Sequence, residues 1–180
     1  VLAGGAASAD VGDHHGMILR TDGSLWAAGK NFDGELGDGT WINRSPAVSV
    51  IPADVINVAV GGRHTLFVKS DGSVWACGAN GNGQLGDGTT EAKESPVQIF
   101  EYGGVAVAAG ENHSLILMDD SALYACGAND RGQLGDGSGQ DQATPVYVSY
   151  DVVDFAAGLN FSLAVLADGL LEVWGANDAG

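Results

Sequence analysis

The chain has 180 residues, 29 of them glycine, and 23 acidic against 7 basic side chains give it a net charge of −16. An acidic surface argues against DNA or RNA, whose phosphates are met by Lys and Arg, and against an anionic membrane surface. Hydrophobic content of 45% is enough for a packed core, but no apolar run approaches the roughly 20 residues that span a bilayer.

Residues 1–11 (VLAGGAASADV) are small and apolar, with no basic stretch and no initiating Met. They read as repeat sequence and not as a signal peptide. From there the chain copies itself at a spacing of 49 residues: DHHGMILRTDGSLWAAGKNFDGELGDGT from Asp13, GRHTLFVKSDGSVWACGANGNGQLGDGT from Gly62 and ENHSLILMDDSALYACGANDRGQLGDGS from Glu111. A fourth copy starts near Leu159 and reaches Gly180 inside its own loop. The whole chain is thus one array, with repeats at about 6–54, 55–104, 105–151 and 152–180. A period of roughly 20–50 residues marks a solenoid, a propeller or an array.

Each repeat follows the same order. An apolar run ends in Gly (6–12, 55–61, 105–110, 152–158), and a second run follows (17–19, 66–68, 115–118, 163–166). Next comes Asp22-Gly23, Asp71-Gly72, Asp120-Ser121 or Asp168-Gly169. Asp-Gly between apolar runs predicts a two-residue type I′ hairpin, with φ > 0 at both central positions. A third run (25–29, 74–78, 123–127, 171–175) leads into a polar loop (31–40, 80–89, 129–138), and a run headed by Pro46, Pro96 or Pro145 closes the unit. Proline fits the first residue of a strand or an edge strand.

These runs make four short strands per repeat, with no helical period. Leu66-Phe67-Val68 and residues 163–166 are apolar without alternation, as expected of strands buried on both faces. Four-stranded antiparallel sheets stacked radially meet that demand, so the expected fold is all-β: an incomplete β-propeller of about 3.5 blades. A β-solenoid is the rival, but its coils are shorter and hold no internal hairpin.

Gly-x-x-His-Ser/Thr-Leu, Asp-Gly-Ser-x-Trp, Gly-x-Asn-x-x-Gly-Gln-Leu-Gly-Asp-Gly-Thr and then Pro-Val recur in fixed order. In this the chain resembles the regulator of chromosome condensation repeat family, in a variant that looks bacterial. The resemblance implies seven-bladed propellers of about fifty-residue repeats, which at this period need about 343 residues, whereas the chain holds about 3.7 repeats. Two expectations follow: a piece of a longer protein, or a subunit that completes itself with further copies through apolar faces left open at its ends. An extracellular or cell-surface setting is expected.

Candidate sites divide between chemistry and architecture. His15, His64 and His113 recur at one position; three imidazoles suggest a metal, but equivalent residues lie one blade apart. They read as buried groups bonding backbone in their own or the next blade. Asp38, Asp87 and Asp136 read as turn-bonding carboxylates, since the alternating carboxylates of calcium loops are missing. Cys77 and Cys126 read as buried thiols or, near the propeller axis, a disulfide. Trp26, Trp75 and Tyr124 read as inter-blade packing. The fourth repeat departs from the pattern, with Phe161 at the His position, Glu172 at the aromatic one and Trp174 at that of Ala28, Cys77 and Cys126.

No catalytic, cofactor-binding or metal-binding set emerges. Ser114 and His113 are strand neighbours facing opposite ways, and no phosphate loop of the Gly-Lys-Ser/Thr type is present. The expected function is a non-enzymatic scaffold for protein–protein interaction, binding a protein partner or further copies of itself, without nucleic acid or membrane insertion. The expected contacts lie where the repeats disagree, ahead of each Pro: Trp41, Ile42, Asn43 and Arg44, then Glu91, Lys93 and Glu94, then Gln140 and Asp141. Head-to-tail assembly is one alternative. Guanine-nucleotide exchange on a small GTPase is another, implied only by the resemblance.

Overall fold

In a computed structural model describing residues 5–177, every regular element is a β-strand. The first four residues and the expected loop end at Gly180 lie outside the described residues. Blade 1 comprises β1 (Ala6–Val11), β2 (His15–Arg20), β3 (Leu25–Gly29) and β4 (Arg44–Ile51). Blade 2 comprises β5 (Val55–Val60), β6 (His64–Lys69), β7 (Val74–Gly78) and β8 (Lys93–Phe100). Blade 3 comprises β9 (Gly104–Ala109), β10 (His113–Met118), β11 (Leu123–Gly127) and β12 (Gln142–Ser149). Three strands describe blade 4: β13 (Val152–Ala157), β14 (Phe161–Leu166) and β15 (Leu171–Gly175).

Within each blade the strands pair antiparallel in sequence order, so each sheet is a meander. The first strands of the blades gather innermost, and the Pro-bearing strands form the outer edges. The chain is an all-β, incomplete propeller, as the apolar runs require.

The core lies between sheets. Met17, Leu19, Leu25 and Ala27 of blade 1 pack on Val55, Val60 and Phe67 of blade 2. Leu66, Val68, Val74 and Ala76 of blade 2 meet Val107 and Ile116 of blade 3. Leu115, Leu123 and Ala125 of blade 3 meet Val152 and Ala164 of blade 4. β6 is therefore buried on both faces, whereas β2 alternates between buried and half-buried positions. In β14, Leu163 and Val165 are only half-buried although the run is wholly apolar.

Two local details differ from expectation. The β2–β3 hairpin is not a two-residue type I′ turn. Gly23 N–H bonds Arg20 O at 2.9 Å and Arg20 N–H bonds Ser24 O at 2.9 Å. Positive φ falls on Gly23 alone, at 77°. This is a three-residue loop in which a type I turn is followed by one left-handed residue, a G1 bulge. Asp22 still has a role, because its Oδ1 accepts the Ser24 N–H and O–H and so closes the turn from within. The prolines also lie inside the outer strands and not at their heads. Gly29 pairs with Arg44 and Ala27 with Val48, which leaves Pro46 in the irregular stretch between. Pro96 and Pro145 stand in the same break of β8 and β12, where a residue without N–H removes no ladder bond.

In blade 3 the left-handed position holds Ser121, at φ 68°. A side chain there costs roughly 1–2 kcal/mol, of which about 0.4–1 is offset by the freer unfolded state of Gly. Ser121→Gly should therefore stabilise the chain by about 0.5–1 kcal/mol, raising Tm by ~2 °C in a thermal melt.

Candidate functional site: outer loops and an inter-blade clasp

The β3–β4 loop is built around one asparagine. Asn31 is fully buried; its Nδ2 donates to Asp38 Oδ1 (3.1 Å), Thr40 O (2.8 Å) and Ile42 O (3.3 Å), while its Oδ1 accepts Leu36 N–H (2.9 Å). Asn80 and Asn129 repeat this geometry around Asp87 and Asp136. The amide holds both ends of the loop, and Leu36, Leu85 and Leu134 plug it into the core.

Each loop carboxylate is used inside the loop. Asp38 Oδ1 accepts Thr40 N–H at 3.0 Å and Thr40 O–H at 2.6 Å, and Arg44 Nε reaches Oδ2 at 2.5 Å. Burial pushes the Asp38 carboxyl up, but the Thr40 and Arg44 bonds more than offset it and hold it below the usual range. Lys93 reaches Asp87 at 3.6 Å, and Gln142 Nε2 reaches Asp136 Oδ2 at 3.3 Å. These carboxylates bond their own turns, as their spacing implied.

The expected contact residues therefore separate into two groups. Asn43 Oδ1 accepts Asn31 N–H at 2.8 Å, and Asp141 Oδ1 accepts Asn129 N–H at 2.9 Å. With Arg44 and Lys93, these side chains fasten the loop. Glu94 receives Gly39 N–H of blade 1 on its backbone carbonyl at 2.9 Å, and Asp141 Oδ2 accepts Asn82 Nδ2–H from blade 2 at 2.8 Å, so successive loops interlock. Trp41 (45% exposed), Ile42 (60% exposed), Glu91 and Gln140 turn outward. Glu91 also lies 3.8 Å from Lys93.

The histidines form a second feature. His15 Nε2 lies 2.9 Å from Thr65 Oγ1, His64 Nε2 2.9 Å from Ser114 Oγ and His113 Nε2 2.9 Å from Ser162 Oγ. Each hydroxyl donates its single proton to a carbonyl: Thr65 to Glu35 O, Ser114 to Gln84 O and Ser162 to Gln133 O, at 2.7–2.8 Å. The hydroxyl can then only accept from the ring, so Nε2 carries the proton. The expected backbone bond is thus relayed, as imidazole of one blade, hydroxyl of the next and carbonyl of the first blade's loop. Cys77 and Cys126, both free and buried, add thiols 3.5 Å from Glu35 O and Gln84 O. In blade 4 the Trp174 indole N–H takes over, 2.9 Å from Gln133 O.

The hydroxyls went unrecognised in the sequence. In the sequence Ser114 reads as a strand neighbour of His113, but its partner is His64, 50 residues away. The signal was a hydroxyl residue directly after each His-position residue from the second repeat onward.

At the axis a cleft is lined by Gly12, Gly61, Gly110 and Gly158, with Asp13 and Glu111 its charged side chains among the described residues. Among the described residues no group of three His, Cys, Asp or Glu side chains could hold a metal ion. Nor is any described helix long and apolar enough to cross a membrane.

The Regulator of chromosome condensation (RCC1) repeat profile matches residues 22–68, 71–117 and 120–165, and a second RCC1 repeat profile matches 55–84 and 105–133. The chain belongs to the RCC1 repeat family. The RCC1 profile begins at the hairpin turn and ends in the second strand of the following blade, so one matched unit holds a clasp hydroxyl and the loop carbonyl it bonds, while the imidazole of that clasp lies ahead of the unit. No curated protein matches the sequence at a significant level. Among solved structures it is similar to human WBSCR16 (TM-score 0.84, 22% identity), covering 94% of this chain and 47% of that one. It is also similar to yeast RCC1 (Prp20) in its complex with Kap60 (TM-score 0.81, 23% identity, 97% and 45% covered). A further structure of Prp20p from Saccharomyces cerevisiae gives 0.78, 24%, 97% and 46%. The RCC1-repeat chain spans just under half the length of these proteins.

Burial lowers the pKa of His15 and His113 to about 4 and that of His64 to about 3. Below their ordinary 6.5 the unfolded chain binds protons that the folded chain refuses, so stability falls with pH from 6.5 toward 4. Each such histidine contributes a slope of at most about 1.4 kcal/mol per pH unit. Asp38, Asp87 and Asp136 act in the same direction, but only as pH falls below their unfolded value near 3.8. His64→Gln keeps a donor for Ser114 and removes one titrating group; its urea midpoints between pH 6.5 and 4 should fall less steeply than those of the wild type. Burial likewise pushes the Cys77 and Cys126 thiols up to about 12. Neither should react with a thiol reagent at pH 8 until denaturant is added, when both should.

Proposed function

We propose that the chain is a non-enzymatic, protein-binding propeller module whose recognition surface is the set of outer loops. The observation that carries this reading is the division of labour within the loops. One buried asparagine and one carboxylate set the frame in blades 1 to 3, leaving Trp41, Ile42, Glu91 and Gln140 outward and different from blade to blade. A rigid frame presenting variable side chains spends little ordering entropy on binding. Exposed Trp and Ile supply apolar area, and an acidic surround steers a basic partner. Protein partners are in keeping with the relatives: Prp20 is described in complex with Kap60, and in terms of its binding to Gsp1p and histones.

The test compares immobilised wild-type chain with the Trp41→Ser/Ile42→Ser/Glu91→Lys/Gln140→Ser variant. The variant should keep its circular dichroism and Tm, because none of these side chains holds the loop frame, yet lose a protein that the wild type retains. Retention by the wild type should weaken as salt rises. Equal retention by both chains overturns the loop assignment.

A further inference from the structure

The outer-loop frames of blades 1 to 3 differ at one point. In blade 1 Asn31 N–H is met by Asn43 Oδ1, and in blade 3 Asn129 N–H is met by Asp141 Oδ1. Each acceptor stands 12 positions after its asparagine, just ahead of the outer strand. In blade 2 the residue there is Ala92. A methyl group accepts nothing, and among the described residues no other acceptor meets Asn80 N–H. Asn80 is buried, and more than about nine in ten buried backbone N–H groups are paired. The frame of blade 2 thus lacks one oxygen that its neighbours supply from within.

The place of that oxygen is an open cleft of about 370 Å³, with Asn80 and Ala92 in its wall. Two further differences between repeats make the room. Gly81 and Thr90 stand where blade 1 has Phe32 and Trp41, and a Cβ added to Gly81 would meet nothing within 4 Å. The remaining wall is polar, with the ion pair of Asp33 and Arg63 beside Asn82 and, from blade 3, Asn112. Blades 1, 2 and 3 all contribute to it.

Asp33 decides what kind of group fits. One blade on, its counterpart Asn82 donates Nδ2–H to Asp141 Oδ2 at 2.8 Å, while Asp141 Oδ1 accepts Asn129 N–H. There a donor on the wall is answered by a group with two oxygens. In the cleft the wall carries a carboxylate instead, so the matching group offers one oxygen to Asn80 N–H and one N–H to Asp33. A primary carboxamide has that pair, an acceptor beside two donors. Asn43 holds a carboxamide oxygen in the equivalent place. A carboxylate would set a second negative charge beside Asp33, in a chain of net charge −16. We propose that the blade 2 cleft binds a primary carboxamide, free or as the side chain of Asn or Gln in a peptide, which supplies the oxygen that Ala92 lacks. The site uses none of Trp41, Ile42, Glu91 and Gln140, so it is independent of the loop reading.

The test follows the Asn80 amide in nitrogen–proton correlation spectra of the 180-residue chain. Acetyl-asparagine methylamide should shift that resonance, with a Kd on the order of millimolar. Acetyl-aspartate methylamide should bind at least about fivefold more weakly. Propionamide separates the two sources: binding equal to the asparagine probe assigns a free amide, and weaker binding a peptide side chain. Ala92→Asn supplies the oxygen from within, so it should raise Tm by about 2 °C and abolish the shift. Asp33→Asn restores a donor to the wall and should turn the preference toward the aspartate probe. An Asn80 resonance that no amide probe moves, as for an N–H met by water alone, overturns the proposal. So does an aspartate probe that binds the wild type as tightly as the asparagine probe, or an Ala92→Asn chain that keeps the shift or gains no stability. An unchanged preference in Asp33→Asn overturns the role of Asp33.

Discussion

The backbone carbonyls of Glu35, Gln84 and Gln133 are the points on which the stack depends. Each lies at the tip of a loop from one blade and accepts a hydroxyl and a thiol or indole N–H from the next. The apolar burial between sheets supplies most of the attraction, but it has no direction. A sheet of Leu, Val and Ala could slide or rotate on its neighbour with little loss of buried area. The carbonyl and its donors remove that freedom, since a shift of one residue would leave a buried hydroxyl, thiol and imidazole unpaired together. A net 0.5–1.5 kcal/mol per bond formed is modest beside the cost of leaving several unformed. The clasp therefore acts mainly on geometry, fixing the angle at which each blade meets the next.

The clasp has a cost of its own. With Nε2 committed to the hydroxyl, Nδ1 of His15, His64 and His113 is left as a buried acceptor without a partner. In blades 2 and 3 the glycine just after the first strand is why the ring fits at all. A Cβ on Gly61 would lie 2.3 Å from the His64 ring, and one on Gly110 2.1 Å from that of His113. The recurring Gly and His are thus one device. The same pairing logic appears where the fourth repeat departs from the pattern. Tyr124 stacks edge-on against Phe100 of the preceding blade with ring centroids 5.5 Å apart, and the corresponding pair one blade on is Glu172 with Ser149, bonded at 2.7 Å. An apolar pair has become a hydrogen-bonded pair, both members changing together.

The period, the strand order and the burial of the middle strands were legible because each leaves a local mark. Repetition gives the blade, Gly gives the strand ends, and an unbroken apolar run gives a strand covered on both sides. The turn type was misread because Asp22-Gly23 satisfies two hairpin geometries; the difference lies in whether Thr21 joins the loop, which hydrogen bonding decides and composition does not. The hydroxyls of the clasp were hidden for another reason. Comparing repeats aligns His64 with His113, but the structure joins His64 to Ser114, a relation between one repeat and the next that alignment of equivalent positions conceals. Arg44 and Lys93 were obscured in the opposite sense. Different side chains at one position suggested adaptation to a partner, and both, like Gln142 at the same position one blade on, turn out to meet the equivalent loop carboxylate.

That last result bears on where function can reside in such an array. Variation between repeats is not by itself a sign of recognition, because a guanidinium, an ammonium and an amide can all satisfy one fixed carboxylate. The stricter criterion is variation at a side chain that the loop frame does not use. Trp41, Ile42, Glu91 and Gln140 meet it: the backbone carbonyls of Ile42, Glu91 and Gln140 are held by the buried asparagine while their side chains turn away. Fixing the backbone through its carbonyls leaves side-chain identity unconstrained at those positions, so each blade can present a different surface without disturbing the stack beneath it.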